Sequence, residues 1–201
     1  MTLSPLEDTL TVLYRMAQTA EARTPHTARH SERVALVAMG TGRELGLSEA
    51  DRDRLLVMGR LHNLGVAGSR DSILLKTGAL TRAEFAHVKE HTILGAKLLA
   101  PFPELADVAE VCLNHHERWD GTGYPNGIAG ENIPFFARLI AVADVFSAII
   151  SPRPHRDSLP RPVAADIIGE ERGTTLCPRC VDGFLGWFAR TGGMIDLPEG
   201  V

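Results

Sequence analysis

Three cysteines in 201 residues are too few, and odd in number, for a scaffold held by disulfides. Basic residues are not in excess either, because 21 lysines and arginines stand against 25 acidic residues. This balance excludes a global cationic field for nucleic acid or a membrane surface. The N-terminus lacks a signal peptide, and the longest apolar run, 139–150, is too short to span a membrane. We therefore expect a cytoplasmic protein with no nucleic-acid or membrane partner.

Sustained alternation of apolar and polar residues is also missing, which argues against half-buried strands. Helical periodicity and helix-capping signals recur instead. The sequence therefore predicts an all-α fold, a single helical bundle of about seven to eight helices. In this interpretation residues 1–23 form an N-terminal helix, 24–190 the main domain and 191–201 a C-terminal tail.

Caps and breakers delimit the predicted helices. They cover about 5–22, 27–45, 48–63, 81–100, 104–118, 134–150, 162–171 and 178–190. The segments 65–80 and 119–127 are predicted as loops, the second because it is dense in glycine. The helix at 134–150 is apolar nearly all round, so we expect it at the centre of the bundle.

Histidine is the residue that this chain has in abundance, with eight copies. Helical spacing places His30, His62, His91 and His115 on the inward faces of four helices, and His116 follows directly. A single inward histidine is usually a hydrogen-bonded core residue. Four together need a partner for every imidazole, and a shared metal ion would satisfy them at once.

Asp144 is the only charged residue between Arg138 and Arg153, on the helix that should be most buried. An unpaired carboxylate there is costly, so Asp144 belongs either to a metal site or to an ion pair with one of these arginines. Histidine and carboxylate ligands without cysteine suit Fe, Mn, Co, Ni or Zn. Five or six such ligands exceed the needs of one ion, and paired metals suit phosphoester hydrolysis.

At this point the motifs resemble the HD-GYP family of metal-dependent phosphohydrolases. The resemblance runs from about 24 to 188 through His30-Ser-Glu-Arg-Val34, Leu61-His-Asn-Leu-Gly65, His91, His115-His-Glu-Arg-Trp-Asp-Gly-Thr-Gly-Tyr-Pro125, Ala141-Val-Ala-Asp-Val-Phe146 and Arg153-Pro-His-Arg156. It implies a phosphodiesterase of bacterial second-messenger signalling, which hydrolyses cyclic di-GMP to pGpG or GMP at a centre of two or three divalent ions in an α-helical bundle.

The resemblance also assigns roles to individual positions. Those that match metal ligands are His30, His62, His91, His115, His116 and Asp144. Arg153 and Arg156 match contacts to the dinucleotide, which guanidinium groups suit. Gly121, Gly123 and Tyr124 lie in the loop that resembles the GYP motif, which shapes the site and docks diguanylate cyclase (GGDEF) domains. His26 matches the position of an extra ligand in some members, although a role outside the metal centre is favoured here. The resemblance is also compatible with a homodimer of the chain.

Three departures from the family pattern bear on catalysis. Asn63 stands where the family has the aspartate that bridges two metals, and Val66 stands where it usually has lysine. Ser147 replaces a further acidic residue. Asn63 removes one of the two carboxylates of the metal centre, and Val66 removes a cation near the phosphate. We therefore expect impaired catalysis. The alternative is a catalytically inactive relative that binds a nucleotide or a signalling protein.

The pair Cys177-Pro-Arg-Cys180 has the spacing of half a zinc site or of a redox pair. A structural zinc site needs four ligands, and Cys112 is the only further cysteine. In the family comparison this segment leads into the last helix, so a loop without metal or redox chemistry is the favoured interpretation.

Overall fold

The computed structural model describes residues 5–24, 29–152 and 157–197. Within these ranges nine α-helices follow one another: α1 Pro5–Ala22, α2 His30–Glu44, α3 Glu49–Leu61, α4 Asp71–Leu74, α5 Arg82–Leu99, α6 Ala106–Asn114, α7 Phe135–Ile149, α8 Arg161–Glu170 and α9 Pro178–Thr191. No strand forms in the ranges described, where one isolated bridge joins Arg172 and Leu176. The all-α prediction is confirmed, and the predicted helices correspond to α1–α3 and α5–α9.

Helix α7 lies at the centre of the bundle, as its apolar composition predicts. It packs against α2, α3, α6, α8 and α9, and its residues Leu139, Ile140, Val142 and Phe146 are fully buried. Helix α2 packs closely against α3, and α5 packs against α6. No helix in the described parts of the chain combines the length and the apolar character needed to cross a bilayer.

The prediction of a loop over 65–80 is wrong in part. A 3-10 helix spans Leu64–Gly68, and the single-turn helix α4 follows it. Arg23, at the end of α1, holds this segment in place, because its guanidinium donates to the carbonyl oxygens of Ala67 and Ser69 and pairs with the Asp71 carboxylate. These contacts join residues far apart in sequence, so local spacing could not predict them.

The helix predicted over 104–118 is shorter than expected. A 3-10 turn spans Pro103–Leu105, and α6 ends at Asn114 with His115 as its C-cap. The chain then turns, since Glu117 N donates to Asn114 O across 2.9 Å. The helix predicted to begin at 27 begins at His30, because its N-cap Arg29 has a left-handed φ of 59°; residues 25–28 lie outside the described residues.

The capping box predicted at the start of α5 is present. Thr81 Oγ1 accepts a hydrogen bond from Glu84 N at 3.2 Å, and Glu84 Oε2 accepts one from Thr81 N at 2.7 Å. Two unpaired backbone donors of the first turn are thereby satisfied. This cap fixes where α5 begins, and with it the turn of the helix on which His91 lies.

Candidate metal centre

Two adjoining clusters of side chains that can ligate a metal lie inside the bundle. The carboxylate cluster consists of His30, His62 and Asp144, and the imidazole cluster consists of His91, His115 and His116. In each cluster one ligand atom per residue lies within 4.8 Å of the others. The rings of His62 and His115, one from each cluster, have centroids 5.0 Å apart. The fold thus brings together all six histidine and aspartate positions singled out in the sequence.

Helix ends supply most of these side chains. His30 is the first residue of α2, His62 is the C-cap of α3, and His115 is the C-cap of α6. His91 lies within α5 and Asp144 within α7. Because helix ends from different directions converge here, side chains distant in sequence meet in one place.

Gly65 allows the two clusters to adjoin. A Cβ atom at this position would lie 1.9 Å from His91 O and 2.5 Å from Gly95 N. The 3-10 helix that follows His62 can therefore pack directly on the backbone of α5, which carries His91. A side chain at residue 65 would push these two elements apart.

The hydrogen bonds of the buried histidines leave Nε2 available as a ligand. The Nδ1 atoms of His62, His91 and His115 lie 2.7, 2.6 and 2.9 Å from the carbonyl oxygens of Gly59, Val88 and Cys112. A carbonyl oxygen only accepts, so in each ring Nδ1 carries the hydrogen, and in the neutral ring Nε2 carries a lone pair. This arrangement of a metal-ligating histidine, with Nδ1–H donated to a carbonyl, is the usual one.

Two of these lone pairs face each other. The Nε2 atoms of His91 and His115 are 3.4 Å apart, and both rings have already committed their hydrogen to a carbonyl oxygen. Two acceptor nitrogens at this distance repel each other unless a cation is shared between them. The donor set of the imidazole cluster therefore fits a divalent ion.

Burial favours the neutral form of His62, His91, His115 and His116, which is the form that binds a metal. It lowers the pKa of His62 to about 3 and that of His116 to about 4. The pKa of His115 also lies well below its usual value because of burial and the neighbouring histidines. Burial alone would raise the pKa of Asp144, but its hydrogen bond to His30 and the surrounding imidazoles hold that pKa well below the usual range.

The partner that the structure shows for Asp144, among the residues it describes, is a histidine. Its Oδ1 lies 3.0 Å from His30 Nε2. Arg138, one of the two arginines considered from the sequence, instead lies over the Trp119 ring, 5.7 Å from its centroid. The other, Arg153, lies outside the described residues. The metal-site interpretation of Asp144 is the one that this placement favours.

The side chain of Asn63 is hydrogen-bonded to Nε2 of His62, the atom with which His62 would bind a metal. Its side-chain Nδ2 lies 2.8 Å from His62 Nε2, and the amide donates because that nitrogen carries the lone pair. Val66, the other predicted departure near the phosphate position, is half-buried and lines the same cavity. The carboxylate cluster thus has one carboxylate, and neither Asn63 nor Val66 adds a charge to it.

His30 is oriented by a hydroxyl group. Its Nδ1 lies 3.0 Å from the Oγ of Ser147, which is fully buried. Arg33 Nε donates to the same Oγ at 3.2 Å, and Arg33 Nη2 donates to Ser151 Oγ at 2.8 Å. Ser147 stands where the family has an acidic residue. Its hydroxyl accepts a hydrogen bond from Arg33, as a carboxylate would, but it carries no charge.

The clusters open into a cavity of about 420 Å³. His30, His91, His116 and Asp144 line its wall, together with Glu21 of α1. Glu21 Oε1 also accepts a hydrogen bond from Ser31 N at 2.8 Å, at the start of α2. The predicted dinucleotide contacts Arg153 and Arg156 lie outside the described residues, as does His26.

The glycine-rich segment 119–127 packs against the imidazole cluster. The Tyr124 ring stacks on His116, with centroids 4.9 Å apart and planes at 29°. A Cβ at Gly123 would lie 2.3 Å from Arg118 N and 2.6 Å from His116 O, so glycine is needed at this contact. Gly121 has a φ of 79°, which favours glycine. Gly123 and Tyr124 therefore adjoin the site, and Gly121 shapes the turn of the loop that carries them.

Two carboxylates near the site were not singled out in the sequence. Glu117 Oε1 accepts hydrogen bonds from the backbone nitrogens of Asn126 and Gly127 at 2.7 and 3.1 Å, which anchors the loop. Its position directly after His116 was the available signal. Glu21 lies on α1, and nothing in its spacing indicates that it reaches the cavity. By contrast, His87 pairs with Glu90 outside both clusters.

Comparison with known proteins agrees with this geometry. A protein-family model described as an HD domain matches residues 15–179. The cyclic di-GMP phosphodiesterase response regulator RpfG of Xanthomonas campestris is 39% identical over 175 residues, 86% of this chain and 46% of that protein. The 3'3'-cGAMP-specific phosphodiesterase 3 of Vibrio cholerae is 37% identical over 181 residues, 88% of this chain and 39% of that protein. The chain thus spans less than half the length of these two relatives.

A solved structure resembles the fold. Bd1817, an HDG"Y"P protein of Bdellovibrio bacteriovorus, superposes with a TM-score of 0.64 over 80% of this chain and 51% of that chain. The two sequences are 18% identical over the match, so the likeness concerns the fold alone. What the two proteins share is the arrangement of helices.

Proposed function

Because the chain belongs to the HD-GYP family of HD-domain proteins, we propose that it is a metal-dependent phosphodiesterase acting on a cyclic dinucleotide, with cyclic di-GMP as the first candidate. The observation that carries the proposal is the pair of adjoining ligand clusters that open into one cavity. Such paired sites are the common device for phosphodiester hydrolysis. Relatives named for cyclic di-GMP and for 3'3'-cGAMP support this class of substrate.

The two clusters differ in charge, and we infer an order of metal binding from that difference. The carboxylate cluster offers two imidazoles and the carboxylate of Asp144, whereas the imidazole cluster is neutral. A divalent ion is held more tightly where a negative charge offsets its own. The carboxylate cluster therefore binds the first ion, and the imidazole cluster binds a second ion more weakly. The candidate metals remain Fe, Mn, Co, Ni and Zn.

In the reaction, bound divalent ions would supply a water of lowered pKa and positive charge beside the phosphate. The chain's own residues hold the geometry. His62, His91 and His115 present Nε2 in fixed orientations because their Nδ1 atoms are tied to backbone carbonyls. The Tyr124 ring covers one face of His116 and limits the access of bulk water. Arg153 and Arg156 are the proposed phosphate contacts.

Asn63 favours a second candidate function. Its amide donates to the His62 lone pair, and no charge replaces the carboxylate expected at that position. A centre with one carboxylate can retain an ion and bind an anionic dinucleotide without efficient turnover. In this alternative the chain is an inactive relative that acts by binding a nucleotide or a signalling protein.

Turnover measurements distinguish the two candidates. The native chain, loaded with each candidate metal, is assayed for hydrolysis of cyclic di-GMP and of 3'3'-cGAMP, next to the double variant Asn63→Asp/Val66→Lys. His115→Gln should abolish turnover, whereas His87→Gln, outside both clusters, should leave it unchanged. Equal turnover of the native chain and the double variant would support the enzyme. Binding without turnover in the native chain, with turnover in the double variant, would support the inactive relative. Neither binding nor turnover in both proteins would contradict the proposal.

Three further expectations follow from the family resemblance. A diguanylate cyclase (GGDEF) domain is the proposed partner of the 119–127 loop, a homodimer is the proposed assembly, and the cytoplasm is the proposed location. Co-elution of a purified GGDEF domain with the native chain, compared with Tyr124→Ala, tests the first. Light scattering during size-exclusion chromatography tests the second.

A further inference from the structure

Two cysteines lie together at the start of α9, remote from the ligand clusters. Cys177 is the N-cap of this helix and Cys180 is its third residue. Both are reduced and buried, with exposed fractions of 3% and 0%. Cys180 follows Cys177 by three residues, which places the two side chains one helical turn apart on the same face. The helix dipole at the N-terminus favours negative charge on Cys177.

Arg138 gives Cys177 a positive partner. Its Nη1 donates to Cys177 Sγ across 3.6 Å. Its guanidinium lies over the rings of Trp119 and Phe135, 5.7 and 5.5 Å from their centroids, and its Nε is buried without a hydrogen-bond partner. Among the residues that the structure describes, no carboxylate forms an ion pair with Arg138. A guanidinium between aromatic rings that lacks a carboxylate needs another anion, and a thiolate on Cys177 provides one.

The protonation of the two thiols follows from these contacts. The hydrogen bond from Cys180 and the contact with Arg138 lower the pKa of Cys177 to about 5, although burial acts in the opposite direction. The same hydrogen bond and burial raise the pKa of Cys180. Cys112, the third cysteine, has no such partners, and burial raises its pKa to about 12. The chain therefore combines a thiolate, an adjacent thiol and an inert internal reference.

We propose that Cys177 and Cys180 form a redox-active dithiol, which a hydroperoxide oxidises to a disulfide within the chain. The Cys177 thiolate attacks the peroxide oxygen, the O–O bond breaks, and a sulfenic acid and hydroxide form. The Cys180 sulfur then attacks the Cys177 sulfur, the S–O bond breaks, and its thiol proton leaves with the oxygen as water. Each disulfide consumes one hydroperoxide, which is reduced while the two thiols lose two electrons. A dithiol reductant reverses the change.

Burial limits the oxidant to a small molecule. With Cys177 at 3% exposure, a folded partner protein cannot reach its sulfur, whereas hydrogen peroxide is of the size of a few water molecules. The pair is also unlike a structural zinc site, because no third histidine, cysteine or carboxylate joins it in the groups found among the described residues. The proposal does not depend on the phosphodiesterase activity.

Peroxide titration of the reduced native chain tests the proposal without any variant. The protein is treated with hydrogen peroxide in a metal chelator, quenched, unfolded and alkylated, and its peptides are mapped by mass spectrometry. The expected result is a linked Cys177–Cys180 peptide with Cys112 still alkylated. Oxidation should persist at pH 6, below the range of an ordinary thiol. The proposal would be overturned if the cysteines were oxidised only above about pH 8. It would also be overturned if they were oxidised and no linked Cys177–Cys180 peptide formed.

Variants assign the two roles. Cys180→Ser should accumulate the sulfenic acid on Cys177, which dimedone traps. Arg138→Gln should slow oxidation at pH 6 by about twofold, because a rise of one unit in the Cys177 pKa from about 5 lowers the thiolate fraction from about nine tenths to about one half. Arg179→Gln is the matched control, because Arg179 also lies over Phe135, 4.8 Å from its centroid, but donates no hydrogen bond to Cys177 among the described contacts. Equal rates for the two arginine variants, or one zinc ion bound per cysteine pair, would contradict the redox assignment.

Discussion

The side-chain amide of Asn63 donates a hydrogen bond to Nε2 of His62 across 2.8 Å. The other nitrogen of that ring is committed to Gly59 O at 2.7 Å, so Nε2 is the one ligand atom that His62 can offer. A metal ion must break this hydrogen bond before it can bind. The asparagine thus has two effects, since it removes a negative charge and its amide competes for a ligand.

The variant Asn63→Asp should bind metal more tightly. A carboxylate cannot donate to His62 Nε2, and it adds a negative charge beside that ligand atom. We expect the metal affinity of the carboxylate cluster to rise about 10- to 100-fold, the range typical when a partner of a metal ligand is changed. Metal content per chain, measured in competition with a chelator of known affinity, checks this. Asn126→Asp adds the same charge on the exposed part of the loop and should change little; equal effects of both variants would mean that only net charge matters.

That the candidate ligands meet inside the bundle could be predicted from the sequence, because helical spacing indicates which face of a helix is buried. His91 and Asp144 each lie within a helix, where periodicity applies directly. The hydrogen bond from Asn63 to His62 could not be predicted, because it depends on how the chain turns after α3 ends. Glu21 was missed for a related reason, since its position in the cavity results from the packing of α1 against residues far along the chain.

The fold was predictable where local signals decide it. The capping box at Thr81 and the apolar helix α7 are both present as expected. The end of α6 at Asn114 was not predicted, because Glu117 leaves the helix to bind the loop backbone, a contact with residues further along the chain. Tertiary contacts of this kind override helix propensity. They set the element boundaries that place His115 and His116 in the site.

Acid should destabilise the metal-free chain. The pKa values of His62 and His116 are lowered by burial to about 3 and about 4, against 6.5 when exposed. Between about pH 6.5 and 4 the unfolded state therefore binds more protons, so stability is retained above this window and falls as the pH falls through it. From pH 7 to 5 the loss is about 2 kcal/mol for each histidine. Urea unfolding in a chelator measures it.

The control for the pH dependence is a histidine outside the clusters. His62→Gln should flatten the dependence of the unfolding free energy on pH, because its proton uptake on unfolding is removed. His87→Gln, whose imidazole pairs with Glu90 outside both clusters, should keep the slope of the native chain. If His62→Gln and the native chain lose the same free energy between pH 7 and 5, the buried neutral state of His62 is not the cause.

Replacing Gly65 by alanine should destabilise the chain and disturb metal binding together. Its Cβ would meet His91 O and Gly95 N at 1.9 and 2.5 Å, and backbone atoms cannot move aside as a flexible side chain can. We expect a loss of about 3 kcal/mol from this overpacking. Gly78→Ala is the matched control, because a Cβ there has nothing within 4 Å. Thermal unfolding of both variants checks this, and equal melting temperatures would refute the close packing.

Ser147 should matter for metal binding although it lies behind the ligand. Its Oγ lies 3.0 Å from His30 Nδ1, and His30 Nε2 donates to Asp144 Oδ1 at 3.0 Å in the metal-free chain. When an ion takes the place of the Nε2 hydrogen, Nδ1 carries the hydrogen of the neutral ring, and Ser147 Oγ can accept it. Ser147→Ala removes that acceptor, so the Nδ1–H of the metal-bound ring is left without a hydrogen-bond partner. Metal affinity should then fall about 10- to 100-fold, while Ser72→Ala, on the exposed turn α4, should leave it unchanged. Chelator competition measures both, and Ser147→Thr, which retains a hydroxyl, should restore most of the affinity. An unaltered affinity in Ser147→Ala would mean that Asp144 alone orients His30.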